Sequence, residues 1–153
     1  MSQSTPTVQD LPPAVRERIG FLLAKNHLAV LGMLAERVKL GGGAGLAGKA
    51  FGCLSVVADE GPLSQHELGR RLGVDRSTIV TVVDQLEADR LVERERNPTD
   101  RRAYALRVTR RGRVWLEQAS KAVLEIEREF LEPLSAAERR QLIGMLQRLL
   151  VRG

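Results

Sequence analysis

The sequence predicts a mainly α-helical fold carrying one small β-hairpin, with a compact central unit between longer helices. Three observations predict it. Apolar residues recur at three- and four-residue steps through most of the chain. One stretch, residues 91–109, alternates instead and is interrupted by Asn97-Pro98-Thr99-Asp100, a run of turn formers. Just before it, two short helical segments meet at Gly73, a residue suited to ending a helix.

Residues 1–13, MSQSTPTVQDLPP, are polar and have no basic start followed by an apolar stretch. They read as a disordered arm and not as a signal peptide. The next unit, residues 14–62, begins with a long helix over 14–39. Val15, Ile19, Leu22, Ala29, Val30 and Met33 follow helical steps, and Leu23, His27, Leu31, Leu34 and Val38 add a second stripe. A helix apolar on two sides must pack against more than its own small core. Gly41-Gly42-Gly43-Ala44-Gly45 ends it as a flexible link, a shorter helix runs from about 47 to 59, and Gly61-Pro62 closes the unit.

The central unit, residues 63–112, reads LSQHELGRRLGVDRSTIVTVVDQLEADRLVERERNPTDRRAYALRVTRRG. Ser64 caps a helix over 65–72 with Glu67 in the capping-box position, and Leu68 and Leu72 point inward. Asp75 caps the next helix, 76–90, on which Ile79, Val82, Val83 and Leu86 share a face. Strands over 91–96 and 103–109 follow, with Tyr104, Leu106 and Val108 expected on one side.

In the last unit, residues 113–153, Trp115, Ala119, Ala122, Ile126 and Phe130 mark a helix from about 111 to 131. Pro133 ends it, and Ser135-Ala136-Ala137-Glu138 is a capping box for a final helix to about 151. Both flanking units have apolar surface that a small central module cannot cover. A two-fold dimer built from both ends of the chain is the simplest solution.

Composition narrows the function. With 153 residues, 43% of them hydrophobic and 28% charged, the chain is an ordinary globular domain or one protomer of an oligomer. No run of about 18 apolar residues stands out, so no membrane span and no membrane partner are expected. Cys53 is the single cysteine, which excludes an intrachain disulfide and a cysteine-based zinc site. Within FGCLSVVA it reads as a small buried core residue; a redox role needs a lowered pKa and access to solvent. Without an export signal the cytoplasm is the natural compartment. His27 and His66 are the only histidines, no acidic, histidine and cysteine residues share metal-ligand spacing, and no nucleophile lies beside a base. Neither catalysis nor a cofactor is expected. Gly43 to Lys49 matches GxxxxGK, but Ala50 replaces the magnesium-binding hydroxyl and no buried strand precedes the motif.

The net charge of +5 is unevenly placed. Residues 64–113 hold 12 Lys+Arg against 8 Asp+Glu, whereas the segments before and after hold 6 against 5 and 6 against 6. A phosphate backbone rewards that concentration through counterion release. Two helices joined by a tight turn place the second in the major groove of double-stranded DNA, its N-terminal residues against base edges. Arg76, Val80, Thr81 and Gln85 are the candidate readers, and Ser64, Gln65, Ser77 and Thr78 suit phosphates. Arg94, Arg96, Arg101 and Arg102 cluster about the hairpin turn, where an arginine can enter an A·T-rich minor groove, with Asp100 as a brace. The competing reading is a winged-helix module that binds protein and not DNA.

The central run resembles the winged helix-turn-helix of the MarR family of bacterial transcriptional regulators. Asp100-Arg101-Arg102, an apolar strand, and Val108-Thr109-x-x-Gly112 carry the resemblance. It implies an intertwined homodimer in which the terminal helices interlock and two winged domains straddle a palindromic operator. It also implies a wing arginine, Arg102 or Arg101, in the minor groove beside Asp100. Repression is the family's usual mode, and a small anionic or aromatic effector binds between the dimerisation helices and the winged domain. Candidate lining residues are His27, Val30, Phe51 and Trp115. The chain departs from the family where Val80-Thr81 replaces a frequent Thr-Arg, where Gln85 replaces a basic residue, and where Asp89-Arg90 replaces a Lys-Gly type pair.

Overall fold

The structure is a computed structural model that describes residues 11–40, 44–96 and 104–150. Its elements are α1 (Pro13–Arg16), α2 (Ile19–Arg37), α3 (Ala44–Glu60), α4 (Gln65–Leu72), α5 (Arg76–Ala88), β1 (Val92–Arg96), β2 (Tyr104–Val108), α6 (Arg110–Phe130) and α7 (Ala136–Leu150). The predicted fold class, mainly α with a two-stranded antiparallel wing, is what is found.

Three expectations are corrected. The helix expected over 14–39 is split: Glu17 ends α1, and Arg18 takes an extended conformation as the N-cap of α2. The glycine segment contributes more than a link, because α3 already starts at Ala44 and carries Gly45 and Gly48 within it. Gly48 faces α2, where a β-carbon would make ordinary contact with Leu31 Cδ2 at 3.4 Å and Leu34 Cδ2 at 3.7 Å. A helical Gly48-Lys49 also removes any phosphate-cradling loop there. The alternation in β2 holds for Leu106 and Val108, but Tyr104 at the outer end is 59% exposed while Ala105 is buried. The proposed arm lies mostly outside the described residues, and Pro13 already belongs to α1.

Two apolar clusters organise the chain. The first joins Ala50, Cys53, Leu54 and Val57 of α3 to Leu68 of α4, to Ile79, Val82, Val83 and Leu86 of α5, and to Leu91, Val92, Leu106 and Val108. The second joins Leu34 and Val38 to Ala47 of α3 and to Ala119, Ala122 and Ile126 of α6. Helix α3 thus belongs to both, and Trp115 packs against both. An ion pair between Arg37 and Glu129 ties α2 to α6 at the surface. Cys53 is buried as expected, and burial pushes its thiol up to about 11, away from the reactive thiolate.

The outer helices leave apolar surface uncovered. Ile19 and Leu28 on α2 are 71% and 63% exposed, and Leu149 and Leu150 on α7 are 57% and 80% exposed. No described residue of α7 is buried. Against the expectation from sequence, α2 is long and apolar enough by length and composition to cross a membrane, with a mean hydropathy of 1.3 over its best window.

Candidate nucleic-acid interface

The central unit is held at each joint by a specific local interaction. Ser64 and Glu67 form a reciprocal capping box: the Ser64 N–H donates to Glu67 Oε2 at 2.9 Å and the Glu67 N–H donates to Ser64 Oγ at 3.2 Å. The Ser64 hydroxyl and backbone N–H hold the Glu67 carboxyl below its usual range. Helix α4 ends on Gly73 in the left-handed region, at φ +62. The two helices cross at Gly69, where a β-carbon would lie 3.1 Å from Val74 O and 3.2 Å from Ile79 Cγ1.

Asp75 caps α5. It accepts from the Ser77 hydroxyl at 2.5 Å, the Thr78 hydroxyl at 2.7 Å and the Thr78 N–H at 2.9 Å. These donors, Ser77 first, hold its carboxyl well below the usual carboxylate range. The hydroxyl protons of Ser77 and Thr78 are therefore directed at Asp75, and Thr81 donates to Ser77 O at 3.1 Å. With Ile79, Val82, Val83 and Leu86 buried, the outward face of α5 carries Arg76, Ser77, Val80, Thr81 and Asp84. Arg76 has no ion-pair or hydrogen-bond partner among the described residues. Gln85 is half-buried and donates through Nε2 to Asp89 Oδ2 at 3.1 Å.

A cleft of about 790 Å³ opens between α4 and α5, lined in part by Gln65, His66, Arg70, Arg76 and Val80. Gln65 Nε2 is buried there with no hydrogen-bond partner. An unpaired buried amide donor is costly, and an acceptor placed in the cleft would satisfy it. Arg70, which sequence reasoning passed over, is a second exposed cation on this cleft.

The wing pairs Val92 with Val108 through to Arg96 with Tyr104. Leu63 joins it as a third, single-bridge rung, with the Leu106 N–H donating to Leu63 O at 2.8 Å. Arg96 is exposed on β1. Arg94 is engaged: Nη2 lies 2.8 Å from Asp84 Oδ1 and Nε 3.0 Å from Glu87 Oε2, both on α5. Asp100, Arg101 and Arg102 lie outside the described residues.

The exit from the wing explains the Val-Thr-x-x-Gly pattern. Thr109 caps α6 by accepting the Gly112 N–H at 3.0 Å, while its hydroxyl donates to Arg90 O at 2.7 Å. Arg90, at φ +58, is the one non-glycine residue with positive φ among those described. Its N–H donates to Glu87 O and the Leu91 N–H donates to Leu86 O, a helix stop that favours glycine at this position.

Of the candidate effector residues, Val30, Phe51 and Trp115 each pack against the second apolar cluster. His27 is exposed on α2, one turn before Val30. Trp115 Nε1 donates to Lys39 O at 3.2 Å, and a cleft of about 230 Å³ beside it is lined by Lys39, Leu40, Asp89, Leu91 and Arg111.

A MarR family profile matches residues 44–103, from α3 into the wing. A curated relative from Thauera aromatica, described as a putative transcriptional regulatory protein for the hcr operon, is 39% identical over 131 residues, covering 86% of this chain and 78% of that protein. The chain belongs to the MarR family. Members of the MarR family are DNA-binding regulators of transcription and not enzymes. Two MarR-type crystal structures match almost the whole chain at 26% identity. The PcaV transcriptional regulator from Streptomyces coelicolor, in complex with its natural ligand, has a TM-score of 0.78 and covers 92% of this chain and 95% of its own. The transcriptional repressor CouR, bound to a 23-mer DNA duplex, has a TM-score of 0.75 and covers 92% and 98%.

Proposed function

We propose that the chain is a homodimeric, sequence-specific reader of double-stranded DNA that represses transcription at a palindromic operator and is released by a small anionic or aromatic effector. The observation that carries the reading is the division of α5. Its apolar side is fully committed to the core, which leaves Arg76, Ser77, Val80 and Thr81 facing outward at its N-terminal end. Arg76 pairs with guanine or a phosphate, and Val80 meets a thymine methyl. The Gln65 amide, buried and unpaired in the free chain, gains a phosphate acceptor when its side chain turns outward. Ser77 and Thr78 reach phosphates by releasing Asp75, which in the free chain holds both hydroxyl protons and the Thr78 N–H. Arg101 or Arg102 enters the minor groove, with Asp100 as its brace.

The bare apolar surfaces of α2 and α7 support a dimer made from the two ends of the chain, which also gives the membrane-length α2 a partner in a soluble, cytoplasmic protein. The packing of Val30, Phe51 and Trp115 against one apolar cluster of α2, α3 and α6 supports an effector site near it, and the cleft on Trp115 adds Lys39 and Arg111 to hold an anion. The ligand-bound PcaV and DNA-bound CouR structures support the same two partners for this chain.

Selection of bound fragments from genomic DNA, followed by a salt series on the selected site and on random DNA, tests the reading. The expected result is a site with half-sites about one helical turn apart and a linear fall of log affinity with log salt. Arg102→Ala weakens binding and relaxes flanking A·T preference. Absence of DNA binding at low salt by a well-folded dimer overturns the proposal in favour of a protein-binding winged helix.

A further inference from the structure

Arg94, Arg96, Arg101 and Arg102 cluster about the wing turn in sequence, and a basic wing invites the assumption that all of them face DNA. The structure assigns Arg94 a different role, that of a positioning residue which locks the wing to the reading helix and masks two carboxylates, without contacting phosphate. This inference rests on the DNA-reading role proposed above.

Asp84 and Glu87 are three residues apart on α5 and thus neighbours on one side of the helix. Both are exposed, at 58% and 43% of their side chains. Left bare, two adjacent negative charges on the helix that enters a groove would repel the phosphate backbone. Arg94 reaches across from β1 and gives Nη2 to Asp84 at 2.8 Å and Nε to Glu87 at 3.0 Å. A guanidinium can hold two carboxylates from one fixed plane; a lysine ammonium lacks that geometry. The backbone of Arg94 is equally constrained. It stands opposite Leu106 in the hairpin register, and the Leu106 N–H is bonded to Leu63 O just ahead of α4. The ion pairs therefore connect the wing, the reading helix and the entry to the helix-turn-helix. To bind a phosphate, Arg94 would have to release both carboxylates at the surface where negative charge is least welcome. Arg96, next but one along β1, has no partner among the described residues and remains available to DNA.

The test is a double-mutant cycle on the intact dimer with its selected operator. Arg94→Ala is expected to weaken specific binding roughly tenfold. Asp84→Asn with Glu87→Gln, whose amide oxygens still accept from Arg94, changes little in the wild-type background; in the Arg94→Ala background it recovers the part of the loss due to bare charge, and the lost lock keeps recovery incomplete. Arg94→Lys recovers only part. The slope of log affinity against log salt stays at its wild-type value throughout. Circular dichroism and the thermal midpoint of each variant exclude unfolding as the cause. An Arg94→Ala slope lowered by about 1, with additive effects across the cycle, identifies a direct phosphate contact and overturns the inference. Unchanged affinity in Arg94→Ala overturns it as well. Failure of the wild-type protein to bind DNA at all is a separate result and rejects the parent reading.

Discussion

Gly112 lies directly against the carbonyl of Leu91. A β-carbon at position 112 would overlap the Leu91 oxygen and approach Val108 Cγ1 to 2.9 Å. The first turn of α6 therefore packs on the root of the wing with no room for a side chain, while Thr109 fastens the same root through Arg90 O. Backbone cannot yield as a flexible side chain can. Gly112→Ala is expected to destabilise the chain by about 3 kcal/mol, at the high end for overpacking. Urea unfolding measures this, and a midpoint equal to wild type would refute the packing argument.

Arg90 stands where the family often places glycine, and its φ of +58 shows why. A residue with a β-carbon strains this conformation by about 1 kcal/mol. Arg90→Gly is therefore expected to be more stable than Arg90→Ala by about that amount. Equal stability of the two variants in thermal denaturation would mean that the left-handed turn is not the controlling feature.

The carboxylates of Glu67, Asp75 and Glu138 are all held below their ordinary range, each by hydroxyl and N–H donors at a helix start. A carboxyl whose folded pKa is lowered favours folding above its unfolded pKa, and that contribution fades as pH falls toward the folded value. Stability should therefore hold from neutral pH to about 5 and decline below the ordinary carboxylate range. Asp75→Asn, which still accepts hydrogen bonds but does not titrate, should flatten the decline. Denaturation midpoints between pH 3 and 7 provide the check, and an unchanged acid limb would exclude Asp75 as a contributor. Ser64→Ala removes one capping partner and should cost about 1 kcal/mol at neutral pH.

Ile143, Met145 and Leu149 on α7 are 52%, 47% and 57% exposed, which suits an interface better than a free surface. On the proposed dimer, Ile143→Glu combined with Leu149→Glu should shift the protein toward monomer and weaken operator binding, while the monomeric fold survives because no described α7 residue is buried. Sedimentation at micromolar concentration reports the change. A variant that remains dimeric would place the interface elsewhere.

Much of the central unit and the start of α7 were legible in the chain because their interactions are local. Ser64 with Glu67, Asp75 with Thr78, and Ser135 with Glu138 are partners three residues apart, so spacing alone identifies them. The buried face of α5 follows equally from helical periodicity. Arg94 shows the limit. Its basic neighbourhood suggested DNA, but its partners, Asp84 and Glu87, come from another element and meet it only once the wing folds back on α5.

The sequence by itself determined where α4, α5 and α7 begin, which face of α5 turns inward and that residues 64–113 carry the excess charge, since capping, periodicity and composition act over a few residues. Only the tertiary structure decided that the first helical stretch breaks at Glu17 between α1 and α2, that His27 is exposed, and that position 112 has no room for a side chain. These depend on distances between segments far apart in the chain, and close packing fixes such distances only when the whole core assembles.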